Sequence, residues 1–499
     1  MTTLSLALHN RSEGGLQERL REGLLEAIRV GSLPTDAALP SCRKLSEQLG
    51  ISRNTVAIVY EKLVDDGYLI SRPRSGYFLH RDYHHDDAVP SPSVSERALK
   101  QAVPSAQSPI DAPSWSKRLA RHPGQFQGIL KPSNWTDYPY PFIYGQPGTD
   151  DFPINAWRDI TRRRLAGDRD RNWLRDRIDQ DDPVLIEQVR KRLLPRRGIL
   201  ARPEEILITL GSQNALYLLA QLLINDDTHI GLEDPGYREA VNVFRFFGST
   251  LVRHQVDVDG IQLNDRSAQC DYFYVMPSHQ VPTGIAMSQA RRDALLVQAV
   301  NSDQIIIEDD YDAELHNDSQ ALPALKASQA SSRVIYLGSF SKVLSPGLRM
   351  GYIVADSELI DELRALRRLM YRHPPANLQH QMAQFIAQGY YETHLRSYVQ
   401  DTDARRDTLR NAIDRLLPQA QCTSSARASA FWLQLPGATD TQQLAWRAAQ
   451  QGVLIEPGFQ HFNDPAPPRH FMRLGFNAIE RQKIVPGIEQ LASVMQNLS

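Results

Sequence analysis

The sequence predicts an α/β protein in two unequal parts, a small helix-turn-helix unit with a strand pair at its end and a large domain built on a mainly parallel sheet. Three observations predict it. The first 80 residues carry three short helical patterns and a turn-rich hairpin, residues from about 140 to 499 alternate apolar runs with helical patterns, and a stretch rich in proline and serine separates the two. A length of 499 residues, about three times the usual ~100–150 residue domain, also requires two or more folding units.

Leu16, Leu20, Leu24 and Ile28 recur every four residues, and Gly31 and Pro34 close that helix. Ser41 and Ser52 then stand as polar N-caps ahead of CRKLSEQLG and RNTVAIVYEKLVDDG, each ending at glycine. Two short helices joined by the tight LGIS junction form a helix-turn-helix pattern. YLISRPRSGYFLH alternates around Arg72, Pro73, Arg74, Ser75 and Gly76, which predicts a hairpin with a basic tip. Residues 81–137 hold Pro90, Pro92, Pro104, Pro109 and Pro113 among Ser, Ala and Gln, the composition of an extended tether. The boundaries are therefore 1–80, 81–137 and 138–499. In the last part EEILITLG, HIGLEDPGY, YFYVMPS, QIIIEDDY and RVIYLGSF are strand-like runs ending in polar residues, placed where open α/β sheets bind ligands.

Composition narrows the partners. The 41% hydrophobic and 23% charged fractions are those of a globular chain, and a net charge of −2 gives no global sign of nucleic acid or membrane. Cys42, Cys270 and Cys422 are odd in number and far apart, which argues for reduced thiols rather than a disulfide framework or a metal site. No apolar run approaches the roughly 18 residues of a membrane span, and the N-terminus lacks a secretion signal. A cytoplasmic location is the expectation.

Charge read locally differs. Between Ser41 and Arg81 seven basic residues face four acidic ones, 7 − 4 = +3. A recognition helix over SRNTVAIVYEKL would place Arg53 and Thr55 near bases or phosphates, with Arg43 on the backbone and Arg72 and Arg74 reaching the adjacent groove. The alternative is a helical interaction domain with solvated arginines. The segment LPSCRKLSEQLGISRNTVAIVYEKLVDDGYLISRPRSGYFL resembles the winged helix-turn-helix of GntR-family bacterial regulators. That resemblance implies DNA contacts from Arg43, Ser52, Arg53, Thr55 and Gly76.

In the large domain, Lys342 follows a strand in YLGSFSKVLSPGLRMGY, and a lysine so placed can condense with an aldehyde. Arg349, seven positions on, can clamp a phosphate. Asp309 ends an apolar strand and needs a cationic partner such as a protonated pyridine nitrogen, while Tyr311 falls on the same side. Gly211, Ser212 and Gln213 open a helix after a strand and offer backbone N–H groups to phosphate. Tyr237 in EDPGY can stack on a ring. Taken singly, these are also an ordinary surface lysine, a turn-capping Asp and an N-cap.

Together LITLGSQNAL, LEDPGY, MPSHQVPTGIAMS, IIEDDYDAE, YLGSFSKVLSPGLRMGY and FMRLGF resemble fold-type I aminotransferases, and above all the MocR/GabR subfamily of GntR regulators. The resemblance implies a pyridoxal phosphate (PLP) domain with Lys342 as the Schiff-base lysine, Asp309 on the pyridinium, and Tyr311 on the ring hydroxyl. Ser339 and Arg349 would hold the phosphate, Tyr237 would stack, and Arg473 would grip an effector carboxylate. It further implies a transcriptional regulator that senses an amino compound by aldimine exchange at Lys342. Such a regulator would bind double-stranded DNA at two half-sites as a head-to-tail homodimer. The alternative is a working aminotransferase with an added module. Val281 stands where aminotransferases usually carry Asn, and Val has no hydrogen bond to give the ring, so poor turnover is expected. RASAFW, from Arg427 to Trp432, also departs from the family pattern near the effector pocket.

Overall fold

The computed structural model describes residues 15–35, 37–73, 75–83, 114–143, 147–148, 151–167, 175–315, 322–423, 429–437 and 439–497. Arg74, residues 84–113 of the expected tether and Arg427 lie outside them. The chain divides into two compact units, Met1–Leu119 and Ala120–Ser499.

The first unit holds helices α1 (Leu16–Arg29), α2 (Cys42–Leu49) and α3 (Arg53–Asp65), then strands β1 (Leu69–Arg72) and β2 (Gly76–Leu79), paired antiparallel. Both expected caps form: Ser41 Oγ accepts from the Lys44 N–H and Ser52 Oγ from the Thr55 N–H. Gly50 ends α2 at φ +67°, a left-handed conformation that glycine adopts without strain, and this makes the tight junction to α3. Leu20, Leu24 and Ile28 of α1 are buried against Val56, Tyr60 and Leu63 of α3. Leu16 is not: it is 46% exposed. The apolar spacing was right, but the first turn of α1 projects past the core.

The remaining strands, in chain order, are β3 (Tyr140–Phe142), β4 (Ile206–Thr209), β5 (His229–Asp234), β6 (Thr250–Asp257), β7 (Gly260–Ile261), β8 (Tyr272–Val275) and β9 (Ile305–Asp310). They continue with β10 (Val334–Ser339), β11 (Gly351–Val354), β12 (Gln421–Cys422), β13 (Ala430–Gln434), β14 (Val453–Pro457) and β15 (Phe471–Gly475). An eight-stranded sheet runs β4-β11-β10-β9-β8-β5-β6-β7, with β10, β9, β8, β5 and β6 mutually parallel and β11 and β7 antiparallel to their neighbours. Helices such as Ser212–Leu223 and Ser357–Tyr371 bury apolar faces on it. All five runs singled out in the sequence are strands here. A second sheet, β12-β13-β15-β14-β3, was not anticipated, and Arg473 lies on it.

The expected tether also ends differently. Residues 120–137 fall in the large unit. Phe126 packs edge-on against Phe246 at 5.9 Å, Gln127 C=O accepts from Asn242 Nδ2 at 3.0 Å, and the Leu130 N–H donates to Gln460 at 2.9 Å. These apolar and carbonyl groups find partners on the domain surface, so a composition that read as uniform is docked over its last part.

Candidate functional site

The polar residues that end the parallel strands converge on one cavity. Asp309 is the penultimate residue of β9, Ser339 ends β10, Tyr237 follows β5 and Met276 follows β8. The cavity has ≈ 750 Å³ of empty space, its open mouth included, within the roughly 300–1,000 Å³ usual for small-molecule sites. It brings together Ser212, Gln213, Tyr237, Asp309, Tyr311, Ser339, Lys342, Arg349 and Arg473, nine of the residues expected from the sequence to hold cofactor or effector.

Asp309 forms the floor and is 4% exposed. Its Oδ2 accepts from the Tyr274 hydroxyl at 2.7 Å, while Oδ1 has no hydrogen-bond partner among the described residues. Burial drives its pKa up to about 7; the Tyr274 hydrogen bond opposes the rise, Asp310 and Asp312 add to it, and Lys342 opposes it. A buried carboxylate with an unused oxygen has a standing demand for a cationic donor, which a pyridinium N–H satisfies. Lys342 Nζ lies 5.5 Å from the centre of the Tyr311 ring. Burial also holds the Tyr311 hydroxyl well above its usual range, with Asp312 adding and Arg473 opposing.

The same cavity holds an anion cradle. Gly211 precedes the helix Ser212–Leu223 at φ +84°, and no side chain caps that helix. A Cβ on Gly211 would stand 3.1 Å from Arg349 Nη2. Glycine therefore lets the guanidinium and the open N–H groups of the helix face the same space. Arg349 itself sits at φ +46°, a conformation few non-glycine residues adopt, and its Nη2 donates to Leu210 C=O at 3.0 Å. Ser339 Oγ accepts from the Ser341 N–H at 3.2 Å. Asp309 and this cradle together fit pyridoxal phosphate.

Four wall residues were not read from the sequence: Ile129, Met276, Ser341 and Pro346. Ser341 had a signal, since Ser339 and Ser341 flank one residue directly before Lys342. Tyr274 had none, because its place beside Asp309 depends on the β8–β9 register that pairs Tyr274 with Ile307. Val281 lines the cavity at 8% exposure, and the preceding Gln280 is engaged elsewhere. The Gln280 amide donates to Pro235 C=O at 2.7 Å and Val281 C=O at 2.8 Å, and its oxygen accepts from Thr283. Neither residue 280 nor 281 offers a donor to a ring hydroxyl.

In the first unit Arg43, Arg53 and Arg72 are exposed. Arg43 pairs with Glu47 one turn on, and Arg72 lies over the Phe78 ring at 4.4 Å. The Ser52 hydroxyl is committed to capping α3 and lies 2.9 Å from the Thr55 hydroxyl. Gly76 pairs with Arg72 at φ +103°.

Residues 150–483 match the family Aminotransferase class I and II, and residues 16–79 match Bacterial regulatory proteins, gntR family. The chain is 36% identical to the HTH-type transcriptional regulator TauR of Rhodobacter capsulatus over 97% of both chains. It is 30% identical to the probable rhizopine catabolism regulatory protein MocR of Rhizobium meliloti, over 98% of this chain and 95% of that one. This chain is a GntR-family transcriptional regulator of the MocR/GabR type. The regulator's large unit has the aminotransferase fold. An archaeal alanine:glyoxylate aminotransferase aligns with TM-score 0.70 and 25% identity, covering 77% of this chain and 99% of that one. LysN of Thermus thermophilus, solved with N-(5'-phosphopyridoxyl)-L-leucine, aligns with TM-score 0.67 and 26% identity over 77% and 99%. The regulator is thus a pyridoxal-phosphate-fold protein with a DNA-binding module. No described helix is long and apolar enough to cross a membrane.

Proposed function

We propose that this regulator senses an amino compound at the cavity of its large unit and that Lys342 is the residue the effector displaces. The observation that carries the reading is the convergence of Lys342, Asp309 and Arg473 on one cavity. When bound, pyridoxal phosphate supplies an aldehyde that condenses reversibly with amines. Lys342 Nζ is the resident amine. Asp309 holds the ring nitrogen, Ser212, Gln213, Ser339 and Arg349 hold the phosphate, and Tyr237 and Tyr311 position the ring. Arg473 receives the effector's acid group. The missing donor at 280–281 supports a binding role over rapid turnover, because the Gln280 amide is occupied in holding its own turn.

The DNA reader is residues 1–80, with Arg43, Ser52, Arg53, Thr55, Arg72, Arg74 and Gly76 as its DNA contacts. One short recognition helix carries limited specificity, so a homodimer on two half-sites, arranged head to tail, completes the reading. The site of action is the cytoplasm. Effector binding changes DNA affinity only as far as it favours one arrangement of the chain over another.

Lys342→Ala tests the proposal. The variant is expected to lose the visible absorbance of lysine-bound cofactor and the effector response at the promoter. An unchanged promoter response overturns the assignment.

A further inference from the structure

Beside Arg473 lie two buried groups that the reading above does not use. Glu456 on β14 is the cross-strand neighbour of Arg473 on β15. Its Oε2 accepts from Arg473 Nη1 at 3.4 Å, and its Oε1 lies 2.6 Å from His461 Nε2. The other ring nitrogen, Nδ1, lies 3.3 Å from Gly236 C=O, and the Gly236 N–H donates back to His461 C=O at 2.9 Å. His461 is 1% and Glu456 3% exposed. This two-way clamp ties His461 to the turn that carries Tyr237.

The partners count the protons. A carbonyl oxygen only accepts, so Nδ1 carries a hydrogen. Nε2 then either donates to a carboxylate or accepts from a carboxylic acid. In both cases the pair holds one proton more than a neutral imidazole beside an ionised Glu. With Arg473 the three groups sum to +1, whereas Arg473 and Glu456 alone would sum to zero. An arginine already neutralised by a buried carboxylate is a poor anion receptor, and His461 restores what Glu456 cancels. Trp432, the neighbour of Arg473 on β13, stacks on Phe471 at 5.3 Å and meets the His461 ring edge-on at 5.9 Å, which packs aromatic surface against the pair.

We infer that Glu456 and His461 are the specificity-determining pair of the effector site. By sharing one proton they keep Glu456 from cancelling the Arg473 charge, which selects amino compounds ending in one anionic group, carboxylate or sulfonate, over amines without one. The inference rests on the sensor reading given above.

The test uses the full chain loaded with pyridoxal phosphate, titrated by visible absorbance with 4-aminobutanoate, β-alanine, taurine and n-butylamine. His461→Gln keeps a hydrogen-bond donor toward Glu456 but carries no extra proton. It is expected to weaken the acid-terminated amines by about tenfold or more, the scale of a lost charged contact, and to leave n-butylamine within about twofold. Glu456→Gln, which removes one negative charge and frees the shared proton, is expected to hold the acid-terminated amines within about threefold of wild type. The His461→Gln/Glu456→Gln double variant, again summing to +1, is expected to recover the same affinity. Equal weakening of n-butylamine and the acids by His461→Gln, or a double variant no better than His461→Gln alone, overturns the inference. A wild type that responds to n-butylamine and to none of the acids overturns it while the sensor reading stands. A wild type that responds to none of the four overturns the sensor reading itself.

Discussion

Asp309→Asn separates the stability of the empty pocket from its affinity for cofactor, and the two should move in opposite directions. In the cofactor-free protein the carboxyl is buried with one oxygen unsatisfied, and its pKa rises from 3.8 to about 7. A carboxyl whose folded pKa is raised favours its neutral form in the fold. The wild type therefore loses stability as pH climbs from the unfolded value toward about 7, and the loss is flat above that. At roughly 1.4 kcal/mol per unit, the full cost is about 4 kcal/mol, an upper bound because water and the Tyr274 hydroxyl relax around the charge. Asn has no such titration and still accepts from Tyr274. The stability of the cofactor-free variant relative to wild type should rise by about 2–3 kcal/mol between pH 5 and pH 8. Urea unfolding followed by tryptophan fluorescence reads chiefly the large unit, because five of the six tryptophans lie in it and none lies in residues 1–80. Cofactor affinity should fall at least about tenfold in the same variant, since the pyridinium loses its anionic partner. A stability difference that is the same at pH 5 and pH 8 would refute the buried-charge reasoning.

Gly211→Ala strains a left-handed position and places a methyl group 3.1 Å from Arg349 Nη2; it should cost about 1 kcal/mol of stability and weaken cofactor binding in an absorbance titration. Arg53→Ala should weaken operator binding and lower the salt slope of that binding by about one, as measured by fluorescence anisotropy at several salt concentrations, with cofactor absorbance unchanged. Ile129→Ala trims a cavity wall on the docked stretch that follows the tether. It should reduce the promoter response to effector with cofactor affinity held within about twofold, as measured by reporter assay and spectral titration.

The parts of the fold legible in the sequence were those whose pattern is local. β5, β8, β9 and β10 are apolar runs that stop at polar residues, because a buried parallel strand is apolar throughout and only its carboxyl end meets ligand or water. The N-caps of α2 and α3 were legible for the same reason, a serine three residues ahead of the N–H it caps. The second sheet was hidden because its strands come from both ends of the large unit, with β3 pairing β14 across more than three hundred residues. Glu456, His461 and Tyr274 were hidden with it: each gains its role from a cross-strand neighbour or a distant turn, and nothing in their own segments announces it.

The site residues divide by what each interaction requires. Those expected to bind cofactor, Asp309, the Gly211 cradle, Ser339 and Arg349, are placed by strand ends and a helix N-terminus, which the parallel sheet sets. The groups that would hasten turnover by bonding the ring hydroxyl are not supplied at 280–281, where Gln280 instead satisfies the backbone of its own turn and of Pro235. Removing a donor while keeping the cradle lowers transition-state stabilisation more than ground-state binding, and prolonged occupancy is what a sensor needs. Ile129 then matters for a covalent reason. Ile129 lines the cavity, its neighbours Phe126 and Leu130 dock on the same unit, and the stretch continues in sequence into the tether, so Ile129→Ala tests whether this stretch carries the effector response.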